Sequence, residues 1–332
     1  MKRHGNLFDK IIEIQNLYYS AKKAFCGKKF KQTVAPFYFN LENEILDIQT
    51  RLSEGSYHPA PYSVFKIYEP KERNICCAEF RDRVVHHAIM NILEPVFERR
   101  LISGSYACRL GKGTHKAFKK SQDLVRKYNY YLKADIKKYF ESIDHQSLKT
   151  LMRKIFKDKK LIQLLDLIIS HQPPYTETGK GLPIGNLTSQ HLANVYLGEL
   201  DLFVKHKLKG KGYIRYMDDF ILFSNDKREL RGFLKRIRGF LSESLHLELK
   251  EKAVRISPVS EGLSFLGYRI FRGLVRLQRA KLVRFRKNIV KLEKRYINGK
   301  IREEDLTNSV RSVIAHISHG NTKNLRDTIF FR

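Results

Sequence analysis

The chain has 332 residues, enough for two or three packed units with a sizeable core. It carries 64 Lys and Arg residues against 34 Asp and Glu residues, a formal net charge of +30. Such a charge favours a long polyanion as partner, and nucleic acid is the first candidate. A membrane surface is the weaker alternative, because no run of about 18 apolar residues and no amphipathic anchor is present.

The cysteines form neither a C-x-x-C pair nor a pattern at zinc-finger spacing. We therefore expect them to be reduced thiols of a cytoplasmic protein. The basic N-terminus is followed by acidic residues rather than by an apolar segment, so no secretory signal is expected. The cysteines are Cys26, Cys76, Cys77 and Cys108.

In the first third of the chain, the sequence pattern predicts helices before and after one β-hairpin. Apolar residues at helical spacing predict helices over residues 7–55. Two strands are predicted at Tyr62–Tyr68 and Arg73–Cys77, joined by a basic turn. Helical spacing then returns from Phe80 to Arg100.

The remaining chain alternates helices with short strands, which predicts an α/β or α+β body followed by a helical tail. Asp144 is expected to cap the N-terminus of one of these helices. The predicted helices are His115 to about Lys127, Ser147–Phe156, Lys160–Ser170, Ser189 to about Leu208, Arg228 to about Ser244, Lys281–Tyr296 and Asn308–Ile317. The predicted strands are 130–136, 212–216, 220–224, Lys252–Ile256 and Leu263–Phe271.

Two adjacent carboxylates, Asp218 and Asp219, interrupt the strand-forming run of residues 212–224. The aromatic and branched residues around them predict two strands, with the carboxylates at the bend. Neighbouring carboxylates raise each other's pKa unless they share a cation, and a divalent metal is the obvious one. A turn with two solvated aspartates is the alternative, since Asp is common in turns.

Asp135 ends another predicted strand, far upstream of Asp218. If the two strands are neighbours, three carboxylates converge and can hold two Mg²⁺ ions about 3.5–4 Å apart. One ion would lower the pKa of an attacking 3′-hydroxyl, and the other would stabilise a triphosphate and its pyrophosphate leaving group. We expect that Mn²⁺ can substitute. Taken alone, Asp135 is equally explained as an exposed acid at a strand end.

Taken together, these segments resemble the reverse transcriptases. Asp135 matches the first catalytic aspartate, and Tyr216-Met217-Asp218-Asp219 matches the Tyr-x-Asp-Asp box. Leu182-Pro183-Ile184-Gly185 matches the segment under the templating base, and Phe265-Leu266-Gly267-Tyr268 matches the primer-gripping hairpin. The motifs occur in the family's order from about Tyr62 onward, which makes the resemblance more specific than any single motif.

The resemblance implies an RNA-directed DNA polymerase shaped as a right hand, working by two-metal nucleotidyl transfer. An N-terminal helical extension is expected over residues 1–60 and the fingers over 61–130. The palm is expected over 131–272, with a fingers insertion around 145–185, and a helical thumb over 273–332.

Several residues acquire expected roles from this resemblance. Lys71 and Arg73, on the basic hairpin, match residues that grip the triphosphate, whose charge must be matched. Phe140 matches the ring that stacks under the deoxyribose and excludes a 2′-hydroxyl. The alternative for Lys71 and Arg73 is a solvated hairpin. The alternative for Phe140 is an ordinary core position.

The remaining expected site residues are less individually supported. For Arg81 or Arg83, the simpler explanation is an ion pair with Asp82. Lys252 is the candidate proton donor to pyrophosphate, and the simpler explanation there is an ordinary surface lysine. The set comprises Ile136 for metal binding, Ile184 and Gly185 for nucleotide binding, Leu266, Gly267 and Tyr268 for the primer grip, and, with less support, Arg81, Arg83, Tyr216 and Lys252.

One segment departs from the general family pattern, in which Gln precedes the Gly and Pro follows the Ser. Here Ile184 precedes Gly185, and Gln190 follows Ser189. This form is similar to reverse transcriptases of diversity-generating retroelements, as are Tyr106-Ala107-Cys108-Arg109 and the phrase 193–196. Ile184 offers no hydrogen bond where relatives have an amide, so discrimination at the templating base should relax.

That subfamily implies copying of a template-repeat RNA into cDNA, with misincorporation opposite adenines that feeds mutagenic retrohoming. The implied partners are this RNA, the RNA/cDNA duplex, dNTPs and a small basic helical accessory protein that forms a ring. The N-terminal helices, 7–55, and the tail after Gly273 are the candidate surfaces for RNA or for that protein.

Two other readings stay open. A group II intron or retron reverse transcriptase is the first, although a maturase usually carries further domains where only a short tail follows Gly273. A non-catalytic RNA-binding or phage-defence protein on the same fold is the second. Intact Asp135, Asp218 and Asp219 count against it.

Overall fold

The computed structural model describes residues 3–28, 31–68, 72–324 and 326, which form a mixed helix-and-sheet protein. The α-helices are α1 (Phe8–Ile12), α2 (Ile14–Phe25), α3 (Ala35–Phe39), α4 (Leu41–Glu54), α5 (Phe80–Arg100), α6 (Thr114–Lys127), α7 (Tyr139–Ser142), α8 (His145–Ile155), α9 (Lys159–Ser170), α10 (Leu187–Leu202), α11 (Lys227–Leu245), α12 (Arg279–Ile297) and α13 (Glu303–Ile317). The strands are β1 (Ser63–Ile67), β2 (Arg73–Cys77), β3 (Tyr130–Ala134), β4 (Gly212–Tyr216), β5 (Asp219–Ser224), β6 (Arg255–Pro258), β7 (Leu263–Phe265), β8 (Tyr268–Ile270) and β9 (Val275–Leu277).

A four-stranded antiparallel sheet in the order β4-β5-β3-β6, here called the central sheet, lies at the middle of the fold. Successive side chains of a strand point to opposite faces. Accordingly Leu132 and Leu222 pack into the core with α10 and α11, whereas Tyr131 and Ile221 pack with α6. Both faces are buried, which explains why these strands are almost continuously apolar.

The smaller sheets flank this centre. Strands β1 and β2 form a separate hairpin, and β7, β8 and β9 form a second antiparallel unit, here called the outer sheet. Phe118 of α6 lies 4.6 Å, ring centre to ring centre, from Tyr268 of the outer sheet. Helix α6 therefore joins the outer sheet to the central sheet.

Helix α5 is the scaffold for the N-terminal helices. It is buried around most of its circumference, including Val84, Val85 and Ala88, so it carries no single apolar stripe. Helix α2 packs along it, and the ring of Phe25 stacks on that of Phe80 with centroids 4.8 Å apart. The predicted helix over Phe80–Arg100 is confirmed at both ends.

Side-chain caps fix the helices that follow β3. Asp144 accepts a hydrogen bond of 2.7 Å from the Ser147 amide, so its predicted role as N-cap is confirmed. Asp158 caps α9 and also accepts 3.0 Å hydrogen bonds from the amides of Leu7 and Phe8. The start of α1 is thereby tied to α9.

Three sequence expectations need correction. Lys252 lies in a 3-10 turn, Glu251–Ala253, rather than on a strand, and β6 begins three residues later. The helix expected to reach Leu208 ends as an α-helix at Leu202 and continues as a π-helical turn. The strand expected over Leu263–Phe271 is two strands, because Leu266 and Gly267 turn with positive φ.

Within the described ranges, no helix has both the length and the apolar character needed to cross a lipid bilayer.

Candidate active site

A two-residue loop, Met217-Asp218, joins β4 to β5, since Tyr216 pairs with Asp219. Short hairpin loops of this kind need positive φ, usually supplied by Gly or Asn. Here Met217 has φ +56°, a left-handed conformation that costs a residue with a Cβ about 1–2 kcal/mol. The loop must therefore be held by its surroundings.

Arg215 supplies that hold. Its side chain is completely buried, and its guanidinium donates to both carboxylate oxygens of Asp201 at 2.7 and 2.6 Å. Nη1 of the same group donates to the carbonyl of Met217 and to Oδ1 of Asn194, both at 2.9 Å. Tyr213 adds a hydroxyl donor to Asp201 at 2.6 Å. The buried charges are thus paired and hydrogen-bonded, and one bond ends on the loop.

The three predicted carboxylates lie at neighbouring strand ends. Ala134 pairs with Phe220, so Asp135 and Asp219 stand at adjacent ends of β3 and β5. Burial and the neighbouring Asp135 raise the pKa of Asp218 to about 7. Burial raises the pKa of Asp219 to about 6, although Lys133 opposes this shift. The geometry therefore concentrates negative charge that calls for a cation.

Two lysines contact these carboxylates. Lys133 places Nζ 2.9 Å from Oδ2 of Asp219, and the same nitrogen donates to the carbonyl of Ser264 at 2.8 Å. Lys250 places Nζ 3.9 Å from Oδ2 of Asp135, and its amide donates to the Asp135 carbonyl at 2.8 Å. Sequence reasoning missed both. Lys133 could have been found, because it alternates with Asp135 on one strand face.

The donor set fits a hard divalent cation. Oδ1 of Asp219 is buried without a hydrogen-bond partner, and carboxylate oxygens are the ligands that Mg²⁺ prefers. Across the described ranges, however, no group of three or more His, Cys, Asp or Glu side chains is already arranged to hold a metal. Ile136 has a buried apolar side chain, so only its main-chain carbonyl could serve as a ligand.

The segment from Leu182 to Gly185 docks between the β1–β2 hairpin and Phe140. The Cys76 amide of β2 donates to the Ile184 carbonyl at 2.8 Å, and the Leu182 amide donates to the Phe140 carbonyl at 2.7 Å. Phe140 is half-buried beside Tyr139. The segment that carries Ile184 and Gly185 is therefore linked to Phe140 through Leu182 and to β2 through Cys76.

Arg73 lies at the exposed start of β2, on the same strand as Cys76. Its expected companion, Lys71, lies outside the described residues. The placement of Arg73 on the strand that carries the Ile184 contact agrees with a role near the nucleotide, which stays a prediction.

Arg81 and Arg83 are engaged elsewhere. Arg81 contacts Glu44 at 2.5 Å and Asp47 at 2.6 Å, both on α4. Arg83 donates to the Ala78 carbonyl at 2.8 Å. These contacts hold α4 and the end of the hairpin to α5.

The expected ion pair of Asp82 with one of these arginines is wrong. Asp82 is buried and accepts hydrogen bonds from the Tyr57 hydroxyl at 2.7 Å and the Ala60 amide at 2.9 Å. Burial raises the pKa of Asp82, and these two bonds oppose that shift.

The expected primer-grip residues form the turn between β7 and β8. Leu266 and Gly267 have φ of +50° and +89°, and the Gly267 carbonyl accepts from the Gln278 amide at 3.1 Å. The Tyr268 hydroxyl donates to the carbonyl of His316 on α13 at 2.5 Å. The turn is therefore tied to Gln278, directly before α12, and the strand that follows it is tied to α13.

Of the remaining expected residues, Tyr216 lies beside the carboxylates, because it pairs with Asp219 across the β4–β5 hairpin. Gln190 places Oε1 3.6 Å from the sulfur of Cys108, and Tyr216 lies with its hydroxyl 3.1 Å from Oγ1 of Thr114. Lys252 lines a cleft of about 500 Å³ that Lys250 shares. Lys250 contacts Asp135 directly and so is better placed than Lys252 to act at the carboxylates.

We predict that Asp201→Asn lowers the free energy of unfolding by about 3–5 kcal/mol, because it leaves the buried charge of Arg215 uncompensated. The double variant Arg215→Met/Asp201→Leu should recover most of that loss. Urea unfolding of each variant measures the effect. Arg238→Gln, which breaks only an exposed ion pair with Glu251, is the control and should change stability by less than about 1 kcal/mol.

Gly185→Ala should lower the free energy of unfolding by about 1–3 kcal/mol, because φ is +121° and an added Cβ would lie 2.7 Å from the Cys76 carbonyl. The matched control is Gly232→Ala on α11, where an added Cβ meets nothing within 4 Å. That variant should be as stable as the parent or more so. Equal stability of both variants in urea would show that the Gly185 contact is dispensable.

Comparison with known proteins adds an independent line. Residues 67–270 match the sequence model of the family described as reverse transcriptase (RNA-dependent DNA polymerase). The group II intron-encoded protein LtrA of Lactococcus lactis subsp. cremoris is 26% identical over 359 residues, covering 87% of this chain. Protein YkfC of Escherichia coli is 25% identical over 274 residues, covering 69% of this chain and 71% of YkfC. The chain spans 58% of the length of LtrA.

Proposed function

Because this chain belongs to the reverse transcriptase family, we propose that it is an RNA-directed DNA polymerase. The observation that carries this proposal is the grouping of Asp135, Asp218 and Asp219 at adjoining strand ends, with raised pKa values at the last two. One buried oxygen of Asp219 is left without a partner.

In the proposed reaction, Asp135, Asp218 and Asp219 hold the divalent ions. When bound, two Mg²⁺ ions would lower the pKa of the primer 3′-hydroxyl and stabilise the leaving pyrophosphate. Lys133 and Lys250 moderate the repulsion among the carboxylates before nucleotide arrives.

The nucleotide would lie against the segment docked on β2. Phe140 and Ile184 present apolar surface to the sugar and the templating base, while Arg73 and Lys71 supply charge to the triphosphate. The close approach of Gly185 to the Cys76 carbonyl supports this arrangement, because it holds the segment directly on the hairpin strand.

We also propose the right-hand layout, with an extension over 1–60, fingers over 61–130, a palm over 131–272 and a thumb over 273–332. The central sheet between α6 and the α10–α11 layer supports the palm. Helices α12 and α13 contact each other, and the His316 carbonyl of α13 accepts the Tyr268 hydrogen bond, which supports a thumb.

Asp218→Asn should lower Mg²⁺-dependent primer extension on an RNA template by at least about 100-fold, because loss of a metal-binding charge removes several kcal/mol of transition-state stabilisation. Asp123→Asn is the control, since Asp123 is an exposed carboxylate on α6. Parent protein that shows no template-dependent incorporation would favour an RNA-binding or phage-defence role on the same fold.

The finer proposal is a polymerase of a diversity-generating retroelement, copying a template-repeat RNA with errors opposite adenine. It is supported by Ile184, whose half-buried side chain offers no hydrogen bond, and by Gln190 after Ser189. A small basic accessory protein would bind the N-terminal helices or the C-terminal tail.

A group II intron reverse transcriptase is the second candidate, favoured by the likeness to LtrA. The free thiols support a cytoplasmic location.

Ile184→Gln should lower the error frequency opposite template adenine relative to the other bases, because it restores a hydrogen-bonding side chain near the templating base. Sequencing cDNA made from an adenine-containing RNA, with and without a co-encoded helical protein, measures this. Ile184→Leu keeps the site apolar and should keep the parent spectrum. A parent with a low error rate that is equal at all bases would favour the group II intron candidate.

A further inference from the structure

A cleft lined by lysines lies beside β4, an edge strand of the central sheet. It has a volume of about 530 Å³ and lies between the segment from Ile102 to Lys112 and the segment from Val204 to Tyr213. The second segment enters β4 at Gly212. The lining also includes Tyr106, whose amide donates to the Arg215 carbonyl at 3.0 Å, so the cleft extends along β4.

The lining contains five lysines and no carboxylate. On one wall are Lys112 and Lys120, and on the other Lys205, Lys209 and Lys211. None of these five forms an ion pair with Asp or Glu among the residues that the structure describes. Five ammonium groups facing one space repel one another, so an anion in the cleft would relieve that repulsion.

Some lysines elsewhere on the surface do have a counter-charge. Lys66, Lys137 and Lys180 are exposed, and each contacts a glutamate at 2.6–2.8 Å. A high overall charge therefore does not by itself leave lysines unpaired. What distinguishes this cleft is that five lysines without an ion pair in the described part of the chain line one space whose lining has no carboxylate.

Lys112 is fixed on its wall rather than swinging in solvent. Its Nζ donates to the Ser103 carbonyl at 3.0 Å and lies 4.9 Å from the ring centre of Tyr106. Burial, with Arg109 and Lys116 nearby, lowers its pKa. Glu98, the carboxylate that opposes this shift, is itself held by Arg109 at 2.5 Å.

We propose that this cleft, whose lining contains none of the three carboxylates, binds the phosphodiester backbone of template RNA. The volume suits one or two nucleotides. Lys116 and Lys120, four residues apart on one face of α6, extend the basic wall beyond the cleft, as a continuous strand requires. The lining aromatic rings, Tyr106 and Tyr213, are buried, so the contact reads phosphates and not bases.

The choice of RNA rests on the proposed function, whereas the test below measures binding without catalysis. A protein that binds RNA through the cleft but does not extend primers would retain this inference and lose the proposed function. Primer extension is measured separately on a primer–template too short to reach the lysine-lined cleft from Asp135, Asp218 and Asp219. This assay tests the proposed function alone.

The test variant is Lys205→Gln/Lys209→Asn/Lys211→Gln. Asn is chosen at 209 because φ there is +55°, which Asn tolerates. The control is Lys154→Gln/Lys159→Gln/Lys235→Gln, which removes the same charge from exposed positions outside the cleft. Affinity for a long single-stranded RNA without Mg²⁺ is measured by fluorescence anisotropy across a range of salt concentrations.

The cleft variant should bind RNA about tenfold more weakly, and its slope of log affinity against log salt should fall by about 2, since each lost phosphate contact removes about 0.7. The control should change by less than about twofold. Parent-like binding by the cleft variant, or an equal loss in the control, would overturn the proposal.

Lysine acylation followed by mass spectrometry tests the parent protein without substitution. RNA should protect Lys205, Lys209 and Lys211 from acylation, and tripolyphosphate at the same phosphate concentration should protect them far less. Equal protection by tripolyphosphate would mean that the cleft binds small anions and not an RNA backbone. Unchanged reactivity with RNA would also overturn the proposal.

Discussion

The buried pair of Arg215 and Asp201 is the interaction on which the carboxylate site depends. Removing both charges from water costs several kcal/mol per ion, and this cost is offset only where hydrogen bonds satisfy the remaining donors and acceptors. One of those bonds ends on the Met217 carbonyl. The left-handed loop, and with it the direction in which Asp218 points, is therefore maintained by a charge pair below the sheet rather than by the loop's own residues.

This arrangement explains how a strongly basic protein keeps a local negative site. The overall charge of +30 attracts a polyanion over long distances, whereas the carboxylates act within a few ångströms of one another. Lys133 connects the carboxylates to the outer sheet, because it contacts Asp219 and also donates to the Ser264 carbonyl. The strands that carry the carboxylates and the predicted primer-grip unit thus share the Lys133 ammonium group.

Sequence predicted best where the signal is local and long. Helix α5 matched its predicted bounds because its apolar spacing covers 21 residues. Lys252 was misplaced because Lys-Ala-Val-Arg-Ile alternates like a strand, while the bond of the Lys250 amide to the Asp135 carbonyl turns the chain before β6 begins. The partner of Asp82 was predicted wrongly for a similar reason. Its partner Tyr57 is distant in the sequence, whereas Arg81 and Arg83 are its immediate neighbours.

The same limit explains why the sequence singles out the three aspartates as candidates but not Asp201. The aspartates interrupt apolar strands, so each is visible as an anomaly. Asp201 lies in a helix, where an acidic residue is ordinary. Arg215, however, could have been noticed in the sequence. An arginine inside a run such as Tyr-Ile-Arg-Tyr must find a buried acceptor if both faces of its strand are covered. A buried charge in a central strand therefore predicts a non-local partner before that partner can be identified.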